Sequence, residues 1–451
     1  MAAMPTLYDD TLALLQDLIR NACVNEFVPD SGNEVRNADT LERFFDGAGA
    51  TVQRFEPHPG RVSIAFTVEG SDPDAEPLTL LGHTDVVPVD ETKWTVDPFG
   101  AEIIDGKLYG RGSVDMLFIT ATMAAVTREV ARRAQAGERP RGTLTFVGLA
   151  DEEARGGLGA QWVAEHAPDA FSWRNCLSET GGSHLPVRDG SDAVVVNVGE
   201  KGAAQRRLWV TGDAGHGSTP FAKDSAVAKI GEVARRIAAA EVPTSVDELW
   251  RSFVEACAFD EDTTHALIDG TGDYAVFGDL AAYAHAFSHT TIAQTVLRAG
   301  GAINVLPSSA YLEMDIRPTP STSQDEVDAL LVAALGDMAG EVRIERLLSE
   351  PGSVSPASGR LWAAIVDTYA ELAPSAKVVP VCATGGSDLR FARRLGGVGY
   401  GFALHARGRD LAGANGQLHA HDEHLYLEDL ALTVRAYRDL VHRFLQLPTR
   451  A

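Results

Sequence analysis

Two short apolar runs stop abruptly at ionisable residues. Leu78-Thr79-Leu80-Leu81-Gly82 runs into His83 and Asp85, and the run 143–149 ends in Asp151-Glu152-Glu153. Apolar runs of this length bounded by polar residues read as strands buried on both faces, which belong to a parallel or mixed sheet covered by helices. The charged residues cannot extend such a strand, so they mark its open end, and ligands gather at the carboxyl ends of strands in sheets of this kind. His83 and Asp85 stand two residues apart, so an extended chain points both to one face. Taken alone, the pair reads most simply as a satisfied structural hydrogen bond. It suits a metal site as well, because an imidazole that binds metal through one nitrogen usually donates its other N–H to a carboxylate or carbonyl.

The same texture continues on either side. Helices are predicted over about 6–24 and 34–47, strands over 51–55 and 62–68, and a long helix over 116–133 directly after Asp115. A helix at about 157–165 and strands at 175–178 and 193–198 complete an α/β alternation over 1–199, with Glu179 just past a strand. From 200 to 350 the order changes to strand 205–210, helix 224–240, strands 290–297 and 309–317, helix 323–339 and strand 342–347. This β-α-β-β-α-β order is ferredoxin-like and predicts a small α+β domain inserted in the larger one. Within it, 241–289 is acidic and poorly periodic and reads as a further insertion, with His265, His285 and His289 taken as surface histidines. The α/β texture returns over 351–451 with helix 360–372, the loop Ala383-Thr384-Gly385-Gly386-Ser387-Asp388, strand 398–403 and helix 426–447.

At 451 residues the chain exceeds the size at which one core stops growing, so more than one domain is expected. Its net charge of −24 argues against nucleic acid or an anionic membrane as partner. The four cysteines, Cys23, Cys176, Cys257 and Cys382, are far apart, which suggests neither a thiolate zinc site nor a disulfide framework and fits a reducing cytosol. Residues 1–5 lack the basic and apolar regions of a signal peptide, and the most apolar run, 116–127, is too short to span a membrane. The expectation is a cytoplasmic protein.

Imidazoles and carboxylates hold divalent zinc, cobalt or manganese, and two such ions about 3.5–4 Å apart can clamp a water and a carbonyl oxygen together. That arrangement needs roughly one histidine and one terminal carboxylate per ion and one carboxylate between them. His83, Asp115, Glu153, Glu179 and His419 supply this inventory, and Glu152 is left free to act as general base.

With these residues in place the chain resembles the co-catalytic zinc peptidases and deacylases, the family that includes glutamate carboxypeptidase, aminoacylase, acetylornithine deacetylase and succinyl-diaminopimelate desuccinylase. The resemblance runs, in order, through Gly82-His83-Thr84-Asp85, Gly110-Arg111-Gly112-Ser113-Val114-Asp115-Met116, Asp151-Glu152-Glu153 and Glu179. It continues through Gly215-His216-Gly217-Ser218, Asn304-Val305-Leu306-Pro307, Arg317, Gly385-Gly386-Ser387-Asp388 and His419-Ala420-His421-Asp422-Glu423. It implies a zinc-peptidase-like mixed-sheet catalytic domain whose inserted ferredoxin-like domain is a lid and dimerisation unit. It implies two metal ions, most simply zinc, with Asp115 bridging, His83 and Glu179 on one ion, and Glu153 and His419 on the other. Asp85 would orient His83, and the Asp115–Met116 peptide would be cis. His421 competes with His419 as the ligand. The resemblance further implies that His216 reaches a partner subunit's site to stabilise an oxyanion, and that Asn304, Arg317, Gly385 and Gly386 bind substrate, Arg317 being suited to a carboxylate.

Leu117 departs from the lysine that many members carry there. The expected activity is hydrolysis of an amide beside a free carboxylate, as a carboxypeptidase or N-acyl-amino-acid deacylase acting on small peptides or N-acyl amino acids. A dipeptidase or aminopeptidase-like enzyme is the alternative, and a silent binding protein on the same fold is a more remote one.

Overall fold

The apolar runs that stop at ionisable residues lie side by side in one nine-stranded mixed sheet. The computed structural model describes residues 6–447, so the reading of residues 1–5 lies outside it. Thr51–His58, Arg61–Val68, Leu144–Leu149, Leu78–His83, Asn175–Ser178, Val398–Gly401 and Asp192–Glu200 follow one another across the sheet, and Ser353–Val354 and Ala376–Ala383 both pair with Asp192–Glu200. Leu78–His83 runs parallel to both Leu144–Leu149 and Asn175–Ser178, with His83 level with Leu149. Three parallel strands therefore deliver their carboxyl ends, and the residues just beyond them, to one edge. Side-chain alternation buries both faces of the sheet. Leu78, Leu80, Leu144 and Phe146 enter a core with the helices Leu7–Arg20, Leu117–Gln135 and Leu427–Phe444. Leu81, Val147 and Leu149 face the other way, against Ala160–His166 and Leu389–Arg394. The expected α/β sandwich is present.

The second sheet has the order Thr291–Ala299, Ser309–Arg317, Arg206–Thr211, Arg343–Arg346, antiparallel throughout. Helices Ala226–Ala238 and Gln324–Leu335 bury Ile230, Val233, Val327 and Leu331 against it. With the chain order β-α-β-β-α-β, this is the ferredoxin-like topology. Both helices start at a serine that caps them: Ser225 accepts from the Ala228 amide, and Ser323 forms a capping box with Glu326.

Two features depart from expectation. The strand Ala376–Ala383 was not foreseen, because Pro380 within Lys377-Val378-Val379-Pro380-Val381 removes a donor and speaks against a strand. It pairs parallel to Asp192–Glu200 nonetheless, with Pro380 opposite Val196. The poorly periodic insertion is helical, folding as Glu248–Ala256, Glu261–Ile268, the 3-10 segment Tyr274–Leu280 and Ala281–Ser288. Its aromatic residues Trp250, Phe253, Phe277 and Phe287 pack on Val195, Val379 and Val381 of the large sheet. Glu248–Ala256 does carry a buried stripe, Trp250, Phe253, Val254 and Cys257 at i, i+3, i+4 and i+7, but the segments after it are only 7 or 8 residues long, too short for a helical period to stand out. His289 is buried, not on the surface, and its ring stacks on His285 at 4.2 Å. His265 and His285 are exposed as expected.

Beneath the open edge, Arg61 is only 1% exposed and forks onto Glu34 at 2.8 Å through Nε and Nη2, while Nη2 also reaches Asp151 Oδ1 at 2.6 Å. Burial pushes the Glu34 carboxyl up to about 7 even with Arg61 beside it. Removing the cation strands two buried carboxylates. Arg61→Ala is expected to lower stability by about 3–5 kcal/mol, read as a fall in the urea midpoint at unchanged slope. A loss below about 1 kcal/mol would show that water or protons replace the guanidinium there.

Candidate active site

The acidic and imidazole groups of the site enter from five separate segments at the open edge of the large sheet. His83 ends one strand, Glu152 and Glu153 follow Leu144–Leu149, Glu179 follows Asn175–Ser178, Asp115 precedes the helix Leu117–Gln135, and His419 lies before the strand His424–Tyr426. Asp115 is the hub. Its Oδ1 lies 3.2 Å from His83 Nε2 and its Oδ2 3.2 Å from His419 Nε2. Glu179 approaches His83 Nε2 at 3.9 Å, and Glu153 approaches His419 Nε2 at 3.3 Å. Donor atoms close enough to share an ion form two sets, His83 with Asp115 and Glu153, and His83 with Glu152 and Glu179. Between His419 and His421, the structure brings in His419. His421 is exposed and does not line the cavity.

Electrostatics show what the arrangement wants. Burial alone would raise Asp115, but hydrogen bonding with His419 and His83 holds its carboxyl far below the usual range. Burial pushes Glu152, Glu153 and Glu179 up, and their mutual charges add to it. His419 is pushed up to about 10 by its bonds to Asp115 and Glu153. His83 is raised too, because Asp115 and the charges of Glu179 and Glu152 outweigh its burial. Among the described residues the buried Glu153 Oε1 has no hydrogen-bond partner. Crowded carboxylates that ionise with difficulty unless a positive charge offsets them, imidazoles forced toward their cationic form and an orphaned oxygen are together the donor set a divalent cation fits.

The loops are held by groups from far along the chain. His83 Nδ1 meets the Asp85 backbone carbonyl at 2.9 Å, whereas the Asp85 carboxylate stands 3.7 Å away. The backbone of Asp85 thus sets the imidazole, while its carboxylate accepts from Asn25 Nδ2 at 2.8 Å and from the amides of Glu152 and Glu153 at 3.2 Å each. Glu423, fully buried, accepts from the amides of Val114 at 2.7 Å and Asp115 at 3.1 Å and from Arg111 Nη1 at 2.7 Å. Gly112 is required in this loop. Its φ is +89°, and a Cβ there would lie 2.6 Å from Leu117 Cδ1. The Asp115–Met116 peptide is cis, as expected. Asp151, Thr180 and His419, all non-glycine, have φ between 59° and 67°, a left-handed conformation that such residues adopt only under constraint from their surroundings.

The site opens into a cavity of about 410 Å³. Arg317, Gly385 and Gly386 line it as expected, and so do residues that sequence reasoning missed: Arg155, Arg390, His405 and Tyr283. Arg317 binds Asp315 through Nε alone, at 3.0 and 3.1 Å. A Cβ on Gly385 would meet nothing within 4 Å, so the glycine loop borders open space. Arg390 Nη1 lies 4.0 Å from Glu152, beside Asp388, whose two buried oxygens lack hydrogen-bond partners among the described residues and whose carboxyl is pushed up to about 7 by burial. His216 and Asn304 are elsewhere. They sit on the small exposed ladder of Gly215–His216 with Val305–Leu306, and neither lines the cavity of its own chain. Asn25, Arg61 and Arg390 act through contacts with residues 27 to 238 positions away and carry no local signal. Glu423, like Arg111, Asp151 and Asp388, lies within the motifs that carry the resemblance.

The profile described as peptidase family M20/M25/M40 matches residues 79–443. A succinyl-diaminopimelate desuccinylase of Rhodospirillum centenum is 26% identical, over 96% of this chain and 97% of that protein. Among solved structures, an M20 family metallo-carboxypeptidase from Sulfolobus solfataricus superposes with a TM-score of 0.72 at 15% identity, covering 97% of this chain and 100% of its own. Human carnosine dipeptidase 1 does so at 0.66 and 15%, covering 98% and 97%. At that identity the structural matches establish the fold.

Asp85→Ala, examined in chelated protein so that no ion intervenes, should free the 152–153 turn. Each lost bond to the carboxylate is worth about 1.5–3 kcal/mol, so hydrogen exchange at the Glu152 and Glu153 amides should speed up by at least about tenfold. Unchanged protection there would mean that Asp85 does not anchor the turn.

Proposed function

Because the chain belongs to peptidase family M20/M25/M40, we propose that it is a two-metal-ion hydrolase of an amide bond beside a free carboxylate, working as a carboxypeptidase or N-acyl-amino-acid deacylase. One observation carries this reading: the two oxygens of Asp115 face different imidazoles, His83 and His419, each at 3.2 Å. A carboxylate with its oxygens turned to two separate donor groups is placed to lie between two cations. His83 and Glu179 would hold one, and Glu153 and His419 the other. Bound there, zinc, cobalt or manganese would supply Lewis acidity toward the amide carbonyl and lower the pKa of water.

The remaining steps belong to side chains. Glu152 adjoins the ligand set and makes no hydrogen bond through its carboxylate among the described residues, its nearest cation being Arg390 at 4.0 Å. It is free to take a proton from the attacking water and pass it to the leaving amine. Arg317 keeps both Nη groups for a substrate carboxylate, and the open backbone at Gly385 and Gly386 can add amide donors. A carboxylate held there orients the scissile amide toward Glu152. Removal of a succinyl group, which the name of the Rhodospirillum centenum relative describes, is a deacylation of this kind.

His216 and Asn304 serve the site of a second copy in a homodimer formed through the ferredoxin-like sheet. Their ladder is exposed, and beside it Phe221 and Ile303 lie almost wholly in solvent, 95% and 106% exposed, as surfaces awaiting a partner do. The cytosol is the proposed compartment, supported by four buried free thiols. Among the described residues no helix is long and apolar enough to cross a membrane.

Glu152→Gln is expected to keep two metal ions per chain and lose turnover by about 10²–10⁴-fold. Metal analysis beside hydrolysis of N-acyl amino acids and dipeptides tests this, with chelated protein as control, and full activity of the variant sinks the mechanism. His216→Ala should lower kcat by about 10²–10³-fold at unchanged metal content. Activity would return in part when the variant is mixed with Glu152→Gln subunits, because one hybrid site is then complete. No recovery on mixing would count against a contribution across the dimer.

A further inference from the structure

Resting on the reading above, we infer that Glu200 is a positioning residue: its buried carboxylate fixes the loop Thr384-Gly385-Gly386 so that the free backbone amides there, together with Arg317, form one anchor for the substrate carboxylate.

Thr384, Gly385 and Gly386 line the cavity, and none of their amides has a hydrogen-bond partner among the described residues. Successive free amides can bind an anion, provided the backbone that carries them is held in place. This loop is held at both ends. At its start the carbonyl of Cys382 accepts from the Tyr283 hydroxyl, and the carbonyl of Ala383 from the Lys201 amide, each at 3.1 Å. At its end Glu200 Oε2 accepts twice from Ser387, from the amide at 2.7 Å and from the hydroxyl at 2.6 Å. Arg390 donates to the Ser387 carbonyl, so both backbone groups of Ser387 are engaged. Bonds to an ionised carboxylate are roughly twice as strong as neutral ones, which makes Glu200 the firmest of these ties.

Glu200 is only 3% exposed and does not line the cavity, so it acts through Ser387 and touches no ligand there. Its Oε1 is buried without a hydrogen-bond partner among the described residues, with Arg393 Nη1 3.7 Å away as the nearest cation. A buried carboxylate with one oxygen left unbonded is costly, and in this place the return is the geometry of the loop. The chain just after Glu200 ties that geometry to Arg317. Glu200 ends the strand Asp192–Glu200 of the large sheet, and the next two amides go in different directions. That of Lys201 meets Ala383 at the start of the loop, and that of Gly202 meets the carbonyl of Pro318 at 2.9 Å, directly after Arg317. Arg317 comes from the ferredoxin-like sheet and the loop from the large one. Residues 200–202 therefore set the two halves of the anchor against each other.

The test compares, in full-length, metal-replete protein, the N-acetyl derivative of one amino acid with its C-terminal carboxamide. The wild type should favour the free acid by at least about tenfold in kcat/KM. Glu200→Ala should lower kcat/KM for the acid by about 10- to 100-fold and change that for the carboxamide by no more than about twofold, at unchanged metal content. Glu200→Gln keeps an acceptor for the Ser387 amide and should recover part of the loss. Ser387→Ala removes the hydroxyl bond alone and should show the same selective loss to a smaller degree, so it carries the test if Glu200→Ala does not fold. In the Glu152→Gln protein, the N-acetyl amino acid should slow hydrogen exchange at the amides of residues 384–386, and adding Glu200→Gln should weaken that slowing. Equal falls for acid and carboxamide in Glu200→Ala or Ser387→Ala, or no slowing at 384–386, would overturn the inference and leave the hydrolase reading intact. A wild type that hydrolyses acid and carboxamide alike, or that hydrolyses no N-acyl amino acid or dipeptide, would overturn that reading and the inference with it.

Discussion

Four carboxylates in one poorly hydrated pocket are the constraint that the surrounding structure answers to. Asp115, Glu152, Glu153 and Glu179 have side chains between 6% and 14% exposed, with His83 and His419 as the imidazoles among them. At an effective dielectric of about 20, two like charges 4 Å apart repel by ~4 kcal/mol. Such a cluster keeps its shape only if rigid neighbours hold it and cations offset it. The neighbours are present in the fold, and divalent ions are the natural counter-charge.

The holding is done by residues that do not line the cavity. Asp85 ties the 152–153 turn, Glu423 ties the 112–115 loop, and the Arg61 fork ties Asp151 to Glu34 beneath them. Each is a buried ion or charge-assisted bond, strong because both partners are shielded from water and expensive to leave unmade. The left-handed backbone at Asp151, Thr180 and His419 is tolerated for the same reason, since the surrounding bonds over-determine those positions. The sheet contributes by register. With His83 level with Leu149 in a parallel pair, whatever follows Leu149 must lie beside whatever follows His83.

Around this rigid centre the chain adds two kinds of surface. The ferredoxin-like sheet carries His216 and Asn304 away from its own cavity on an exposed ladder. The helical insertion does the opposite. It packs on the large sheet through Trp250 and Phe253 and sends Tyr283 inward. The ionisable residues gather at the sheet edge, and the later segments supply the cavity walls beside them.

The sequence by itself determined which residues stand at the open edge of the sheet and which strands deliver them. His83, Glu152, Glu153 and Glu179 were legible because a strand buried on both faces is apolar and a charge appears where it ends, so the pattern marks both the strand and its open end. The ferredoxin-like order was legible for the same local reason, from the periods of its strands and helices. The Ala376–Ala383 strand was hidden by Pro380, whose missing donor matters less than pairing along the remaining length. The insertion was hidden because most of its helical segments are only 7 or 8 residues long, about two turns, which is too short to display a period. Asn25, Arg61, Arg390 and Tyr283 were illegible in principle. Their partners lie far away in sequence, and a hydrogen bond or contact between distant segments leaves no trace in either one until folding brings them together. Only the tertiary structure decided that the carboxylate of Asp85 serves a turn rather than an imidazole, and that an unread insertion walls the active-site cavity, because both depend on distances across the fold and not on spacing along the chain.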